Sequence, residues 1–192
     1  LCKSCALETT KIFSCPDQVE VVICSVCGSQ HVKGRWLQPD DRDEEEMAAS
    51  AAADAVWLHR DLAGADIDVD LKKVGATRYL AAIDITGSFQ GEPVSLQCSI
   101  AVRVKMMACD RCSRIAGKYF ESTVQLRGNV GRAITAREIE ESKKMARDMA
   151  DAGYRAGEML SFIQQMKEVK GGLDIILGST QLGRRMARAF QE

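Results

Sequence analysis

The sequence predicts an α+β protein with a β-rich N-terminal part, residues 1–115, and a β-α-β-α part, residues 116–192. Three observations lead to this class. Cys-x-x-Cys pairs recur in the first part, which is typical of zinc knuckles and ribbons. Between these pairs, apolar and polar residues alternate as they do in half-buried strands. The second part combines short apolar runs with stretches of helical periodicity. We therefore expect a zinc-ribbon domain with an inserted helix and β-meander, followed by a domain of strands and helices.

The first predicted elements are a strand and a helix. Gln18–Cys24 alternates well enough for a strand that leads directly into the knuckle Cys24–Cys27. The acidic run Asp40–Glu46 predicts the start of a helix, because acidic side chains stabilise a helix N-terminus. The Ala-rich stretch Met47–Leu62 is expected to continue this helix, and Gly64 to end it.

Three strands of a meander are predicted next, over Ile67–Leu71, Arg78–Thr86 and Val94–Met106. The segment Gly87–Pro93 between the last two is a hairpin-type loop. The third strand runs directly into the knuckle Cys109–Cys112. Both knuckles are therefore expected at the ends of strands.

The C-terminal part begins with a predicted strand, Tyr119–Arg127. A capping box over Thr135–Glu138 predicts the start of a long helix that continues to about Val169. Leu173–Leu177 is a short strand of the buried type. Ser179 is suited to cap a final helix.

The cysteines indicate a metal site. Six of the eight cysteines fall in three Cys-x-x-Cys pairs, and this spacing lets both sulfur atoms of a pair turn toward one ion. Without a signal peptide, a reducing compartment and zinc are favoured over a disulfide framework. Four sulfur ligands fill a tetrahedral zinc site and leave no position for substrate, so such a site is structural. The strongest candidate ligands are Cys24, Cys27, Cys109 and Cys112.

A second zinc site is also predicted, with Cys2, Cys5 and Cys15 as its candidate ligands. Spacing alone would equally pair Cys2 and Cys5 with Cys24 and Cys27, because eighteen residues between pairs is ordinary for a ribbon. Cys98 lies within a predicted strand and is expected to be a small buried apolar residue.

Catalytic motifs are scarce, and no catalytic residue is predicted. The chain has two histidines and lacks a nucleophile elbow, a phosphate-binding loop and a His-Glu-x-x-His motif. Thiol–disulfide exchange is the sharpest enzymatic alternative, and it favours a cysteine pair at a helix N-terminus after a strand. Cys109–Cys112 precedes a predicted strand, which argues against it. No apolar run approaches the roughly 20 residues that span a bilayer, so we expect a cytoplasmic protein.

Charge is divided unevenly along the chain. Residues 1–99 carry 9 Lys and Arg against 16 Asp and Glu, whereas residues 100–192 carry 17 against 11. The basic half is therefore the expected contact for RNA phosphates, and the acidic half would repel them. The candidate RNA-binding residues are Arg127, Arg132, Arg184, Arg185 and Arg188.

Three segments carry a resemblance to a known family. They are C-D-R-C-S-R-I-A-G-K-Y-F-E-S-T-V-Q-L-R (109–127), V-E-V-V-I-C-S-V-C-G followed by G-R-W (19–36), and K-G-G-L-D-I-I-L-G-S (170–179). The chain resembles the large-ribosomal-subunit export adaptor family, first named for a role in nonsense-mediated decay. It lacks a long C-terminal transport region and so resembles the archaeal form of the family or a fragment of it.

The resemblance implies a non-enzymatic assembly factor that binds the large ribosomal subunit, with contacts to rRNA and ribosomal proteins. It implies that the protein neither associates with a membrane nor acts on a small-molecule substrate. It also implies a ribosomal-protein-like fold after residue 119. The family pattern has four Cys-x-x-Cys pairs, of which the last two form one zinc site, and this favours Cys24 and Cys27 with Cys109 and Cys112. The alternatives are a zinc-ribbon module that binds only protein and, less favoured, a thiol oxidoreductase.

Overall fold

A computed structural model describes residues 10–129 and 131–191. These residues form four helices and eleven strands, which confirms the predicted α+β class. The chain divides into two compact units, of which the first ends at Met107 and the second begins at Ala108. Within the described residues, no helix is both long and apolar enough to cross a membrane.

The first unit is built on a six-stranded sheet with the order β4-β3-β2-β8-β7-β6. Strand β2 pairs with β8 in parallel, and the other neighbours are antiparallel. Strands β1 and β5 form a separate two-stranded sheet. The strands are β1 (Phe13–Ser14), β2 (Gln18–Cys24), β3 (Gln30–Val32), β4 (Arg35–Trp36), β5 (Trp57–Leu58), β6 (Leu62–Gly75), β7 (Arg78–Phe89) and β8 (Glu92–Met107).

One face of this sheet forms the core of the first unit. Alternate residues of β7 are buried, among them Tyr79, Ile83 and Ile85, because successive side chains point to opposite faces of a sheet. Helix α1 (Glu44–Asp54) adds Met47, Ala48 and Ala52 to the same core. The predicted strand Gln18–Cys24 and the three meander strands are confirmed, with the meander strands longer than predicted.

Helix α1 is shorter than predicted, since it ends at Asp54 and not near Gly64. The next residues form β5, where Trp57 and Leu58 pair with Ser14 and Phe13. The Ala-rich run stops at Ala55, and the β-branched and aromatic residues that follow favour a strand. Trp57 and Leu58 are therefore extended and not helical, because they can pair with β1.

The second unit contains a three-stranded antiparallel sheet with the order β10-β11-β9. Residues Leu173, Ile175 and Leu177 of its central strand are fully buried. They pack with Ala146 and Ala150 of one helix and with apolar residues of the last helix. The elements are α2 (Asp110–Ala116), β9 (Ser122–Arg127), α3 (Ala136–Arg155), β10 (Ile163–Val169), β11 (Gly172–Leu177) and α4 (Thr180–Ala189).

The predicted helix from Thr135 to Val169 is correct at its start and wrong at its end. The capping box of Thr135 and Glu138 is present, but α3 ends at Arg155. Gly157 has a φ of 91°, a left-handed conformation that favours glycine and ends the helix. Ile163–Val169 then forms β10, so the predicted β-α-β-α order contains one additional strand. Ser179 caps α4 as predicted, accepting the N–H of Leu182.

Candidate metal centre

The first knuckle follows directly from β2. Cys24 ends this strand, and its Sγ accepts the backbone N–H groups of Val26 at 3.4 Å and Cys27 at 3.5 Å. Gly28 closes the turn with a φ of 76° and donates its N–H to the Cys24 carbonyl at 3.0 Å. The Cys27 Sγ lies 3.1 Å from the Ser29 hydroxyl. This turn brings the sulfur atoms of Cys24 and Cys27 to one side of the chain.

The second knuckle lies at the start of a helix, which corrects the prediction that a strand follows it. Cys109 is the N-cap of α2, and its Sγ accepts the N–H of Cys112 at 3.4 Å. Asp110 in the first turn favours the helix electrostatically. The helix has only seven residues and ends at Ala116, with Gly117 as its C-cap, so its periodicity is too short to recognise in the sequence.

The two knuckles bring together the four strongest candidate ligands, Cys24, Cys27, Cys109 and Cys112, hereafter the four-cysteine cluster. All four sulfur atoms lie within 4.8 Å of one another. Cys24, Cys109 and Cys112 are buried, and Cys27 is partly exposed. A tetrahedral zinc ion with bonds of about 2.3 Å requires sulfur atoms about 3.8 Å apart. The cluster can therefore hold a metal ion, and both its donor atoms and its dimensions are compatible with zinc.

Two arginines of α2 are held by aromatic rings of the second unit. The guanidinium of Arg111 lies 4.1 Å from the ring centre of Tyr154 and 5.8 Å from that of Phe162. Arg114 lies 4.6 Å from the ring centre of Tyr119. These cation–π contacts fix α2 against its own unit. The sequence contains no signal for the contacts of Arg111, because their aromatic partners are more than forty residues away.

The other cysteines do not match the predicted second site. Cys15 and Cys98 form a disulfide across 83 residues of sequence. This corrects two expectations, because a sulfur in a disulfide cannot serve as a thiolate ligand and Cys98 is not a free apolar residue. Cys2 and Cys5 lie outside the described residues.

Three of the predicted RNA-binding arginines are engaged in ion pairs within their own unit. Arg127 pairs with Asp174 at 2.6 Å, and Arg132 pairs with Glu138. Arg185 donates two hydrogen bonds to the Glu158 carboxylate, at 2.5 and 2.6 Å. This contact lowers the pKa of Glu158. These three guanidinium groups have fewer donors left for a phosphate.

Arg184 and Arg188 differ from those three. Both side chains are exposed on α4, and neither forms an ion pair with a described residue. They are four residues apart and therefore share a face of the helix. With Thr180, Gln181 and Arg185 they line a surface cavity of about 530 Å³.

Comparison with known families gives two matches along the chain. Residues 1–117 match the family described as "NMD3, N-terminal domain", and residues 119–192 match "NMD3, second domain". A search of curated proteins found no match. The two family matches are consecutive and together extend over nearly the whole chain. The chain therefore belongs to the NMD3 family.

Proposed function

We propose that this chain is a non-enzymatic assembly factor that binds the large ribosomal subunit and carries one structural zinc ion. The observation that carries the proposal is the pair of consecutive NMD3 domain matches over nearly the whole chain. The family resemblance described above implies binding to the large subunit. The buried four-cysteine cluster supports a structural metal, since it offers four protein ligands and no open position.

Zinc in this cluster stabilises the ends of β2 and β8. These strands are parallel neighbours, and Cys24 is paired in register with Met107, two residues before Cys109. Two knuckles bound to one ion therefore fix the register of the strands that present them. Because binding requires the folded arrangement, the free energy of zinc binding contributes to the stability of the fold.

Arg184 and Arg188 are the proposed contacts to rRNA. Exposed guanidinium groups that form no ion pair with a described residue bind phosphates without first breaking such a pair. Arg127, Arg132 and Arg185 already use part of their donors and of their charge on Asp174, Glu138 and Glu158. The proposed RNA contact is thus narrower than the set of five arginines that charge alone indicated.

The test is co-sedimentation of the zinc-loaded chain with purified large subunits over a series of salt concentrations. The parent chain is expected to bind, with an affinity that falls as salt rises. The variant Arg184→Glu/Arg188→Glu is expected to bind more weakly, with its log–log salt slope reduced by about two. The variant Lys144→Glu/Arg147→Glu, which changes two exposed cations of α3, has the same net charge and serves as the matched control.

Each outcome of this experiment decides a different point. A parent chain that does not sediment with large subunits contradicts the proposed function. Equal weakening in both variants would assign the effect to net charge and not to α4. Binding that does not depend on salt would favour the alternative of a zinc-ribbon module that contacts only protein.

A thiol oxidoreductase is the second candidate, because Cys109 caps the N-terminus of α2 directly after β8. This is the position that lowers the pKa of reactive cysteines in oxidoreductases. Against it, the Cys109 sulfur is fully buried and belongs to the four-cysteine cluster, where metal coordination prevents attack on a disulfide. Reduction of insulin by the zinc-loaded chain, abolished in Cys109→Ser, would establish the enzymatic alternative.

A further inference from the structure

The six-stranded sheet has a second face whose side chains are exposed. Residues of this open face alternate with those of the core along each strand. In the middle rows, the small side chains of Ala82, Ser99 and Ala101 lie beside the exposed side chain of Leu80. Charged residues of opposite sign are gathered at its two ends. The basic end consists of Lys72, Arg78, Arg103 and Lys105, and the acidic end consists of Asp66, Asp68, Asp70 and Asp84.

The basic end is assembled from three adjacent strands. Arg78 of β7 is the direct cross-strand partner of Arg103 of β8, which places their Cβ atoms about 5 Å apart. Lys105 follows Arg103 on the same face of β8. Lys72 of β6 pairs with Leu80 and is therefore a diagonal neighbour of Arg78, at about 7–8 Å. The four cations thus form one compact patch.

Most of the charge of this patch is unneutralised. Glu20 of β2 is the in-register neighbour of Arg103 and lies 3.9 Å from Lys105. The Glu20 and Lys105 side chains are about half exposed, so this single carboxylate neutralises the patch only in part. Lys72, Arg78 and Arg103 form no ion pair with a described residue. The patch is therefore available to an external anion.

The acidic end repeats the arrangement with the opposite sign. Asp68 of β6 is the direct cross-strand partner of Asp84 of β7. Asp66 and Asp70 lie one row to either side on β6. Gln97 donates a hydrogen bond to Asp84, but it adds no positive charge.

Two like-charge pairs across strands are unfavourable for the fold. Directly opposed like charges destabilise a sheet, whereas opposite charges in the same positions stabilise it by about 0.2–1 kcal/mol. Arg78 opposite Arg103 and Asp68 opposite Asp84 nevertheless place like charges together, and the two pairs create a field along the face.

We propose that the open face binds an RNA backbone at its basic end, while the acidic end repels phosphates and so sets the direction in which the RNA leaves the sheet. This inference rests on the proposed function and adds a second RNA contact, in the first unit. RNA suits the patch better than a protein, because its four exposed cations suit phosphates. The centre of a protein interface is depleted of charged residues, whereas Leu80, the exposed large apolar residue of the middle rows, lies directly beside Lys72.

Counting charges along the chain does not detect this surface. Residues 1–99 are strongly acidic in total, and on that basis the sequence predicts that they avoid RNA. The basic end takes Lys72 and Arg78 from the acidic half and Arg103 and Lys105 from the basic half. Only the pairing of β6, β7 and β8 brings them together.

The test measures binding of a fluorescein-labelled RNA hairpin of mixed sequence to the zinc-loaded chain by fluorescence anisotropy. Arg78→Glu/Arg103→Glu is expected to weaken binding by about tenfold or more at low salt and to reduce the salt slope by about two. The control Arg35→Glu/Arg60→Glu makes the same change of net charge at exposed residues of the first unit that lie outside the open face. It is expected to change the affinity by less than about twofold.

A single substitution separates binding from folding. Arg78→Glu places a carboxylate opposite Arg103, and an opposite-charge pair stabilises a sheet. This variant is therefore expected to unfold at a higher temperature than the parent while it binds RNA more weakly. Loss of RNA binding accompanied by a lower unfolding temperature would instead attribute the effect to damage of the sheet and would overturn the inference.

Three further outcomes would overturn the inference. Unchanged RNA binding in Arg78→Glu/Arg103→Glu would remove the patch from RNA recognition. Equal weakening in the control would show an effect of net charge only. If Arg78→Glu/Arg103→Glu binds the hairpin as the parent does but no longer sediments with large subunits, the patch contacts a protein and not RNA. A parent chain that does not sediment with subunits contradicts the proposed function itself, which keeps the two failures distinguishable.

Discussion

Replacement of Cys112 by serine is the most direct perturbation of the four-cysteine cluster. Cys112 is 7% exposed, and its sulfur lies within 4.8 Å of the other three. Serine keeps the size of the side chain but is a poor zinc ligand. At a free zinc concentration a thousandfold above the dissociation constant, bound metal adds about 4 kcal/mol to stability. For a chain of this size, that loss corresponds to a decrease of roughly 8–16 °C in the unfolding temperature.

The assay combines metal analysis with thermal unfolding of the reduced chain. The parent is expected to retain about one zinc ion per chain after dialysis against a weak chelator, and Cys112→Ser well below one. The control is Cys15→Ser/Cys98→Ser, which removes two sulfur atoms outside the cluster and is expected to retain zinc. If Cys112→Ser keeps a full zinc ion and an unchanged unfolding temperature, the assignment of ligands is wrong.

Three further perturbations test other parts of the fold. The pKa of Tyr79 is raised, chiefly by its 2.6 Å hydrogen bond to Glu44. The contribution of this hydrogen bond to the free energy of unfolding is therefore present at neutral pH and is lost as the pH rises above about 10. Urea unfolding at increasing pH should show this loss in the parent and not in Tyr79→Phe. Reduction of the Cys15–Cys98 disulfide, which spans 83 residues, is expected to lower the free energy of unfolding by about 4–5 kcal/mol in urea titrations with and without reductant. Gly183→Ala would place a Cβ 2.5 Å from the Ser122 Oγ, so it is expected to destabilise the second unit by about 1–3 kcal/mol in spite of the better helix propensity of alanine. The double variant with Ser122→Ala should recover part of that loss, and a stabilising Gly183→Ala would show that α4 and β9 pack less closely.

Features that depend on local sequence were predictable. Strand β2 has the predicted bounds because its alternation ends at a cysteine knuckle, and the meander strands β6, β7 and β8 follow the same alternation. The caps of α3 and α4 were predictable because Thr135 and Ser179 act on residues only three positions away. In each case the interactions that define the element lie within the element itself.

Features that depend on distant partners were not predictable. The apolar residues of Ile163–Val169 have a spacing that also fits a helix. The segment forms a strand because it pairs with β11. Cys15 and Cys98 show no pairing motif, since only the folding of the first unit brings them together. The four candidate ligands could be predicted from the sequence, because the Cys-x-x-Cys spacing is local. The division of charge on the open face could not, because it arises from the register of three strands.

The parallel pairing of β2 with β8 also determines when the fold can be completed during synthesis. Cys112 follows Cys27 by 85 residues, which takes roughly 4–17 s at typical elongation rates of about 5–20 residues per second. During this interval β2 has only β3 as a partner in the sheet, and the first knuckle offers two of the four sulfur ligands. The four-cysteine cluster of the nascent chain therefore stays incomplete until the meander has emerged, because Cys109 and Cys112 directly follow its last strand, β8.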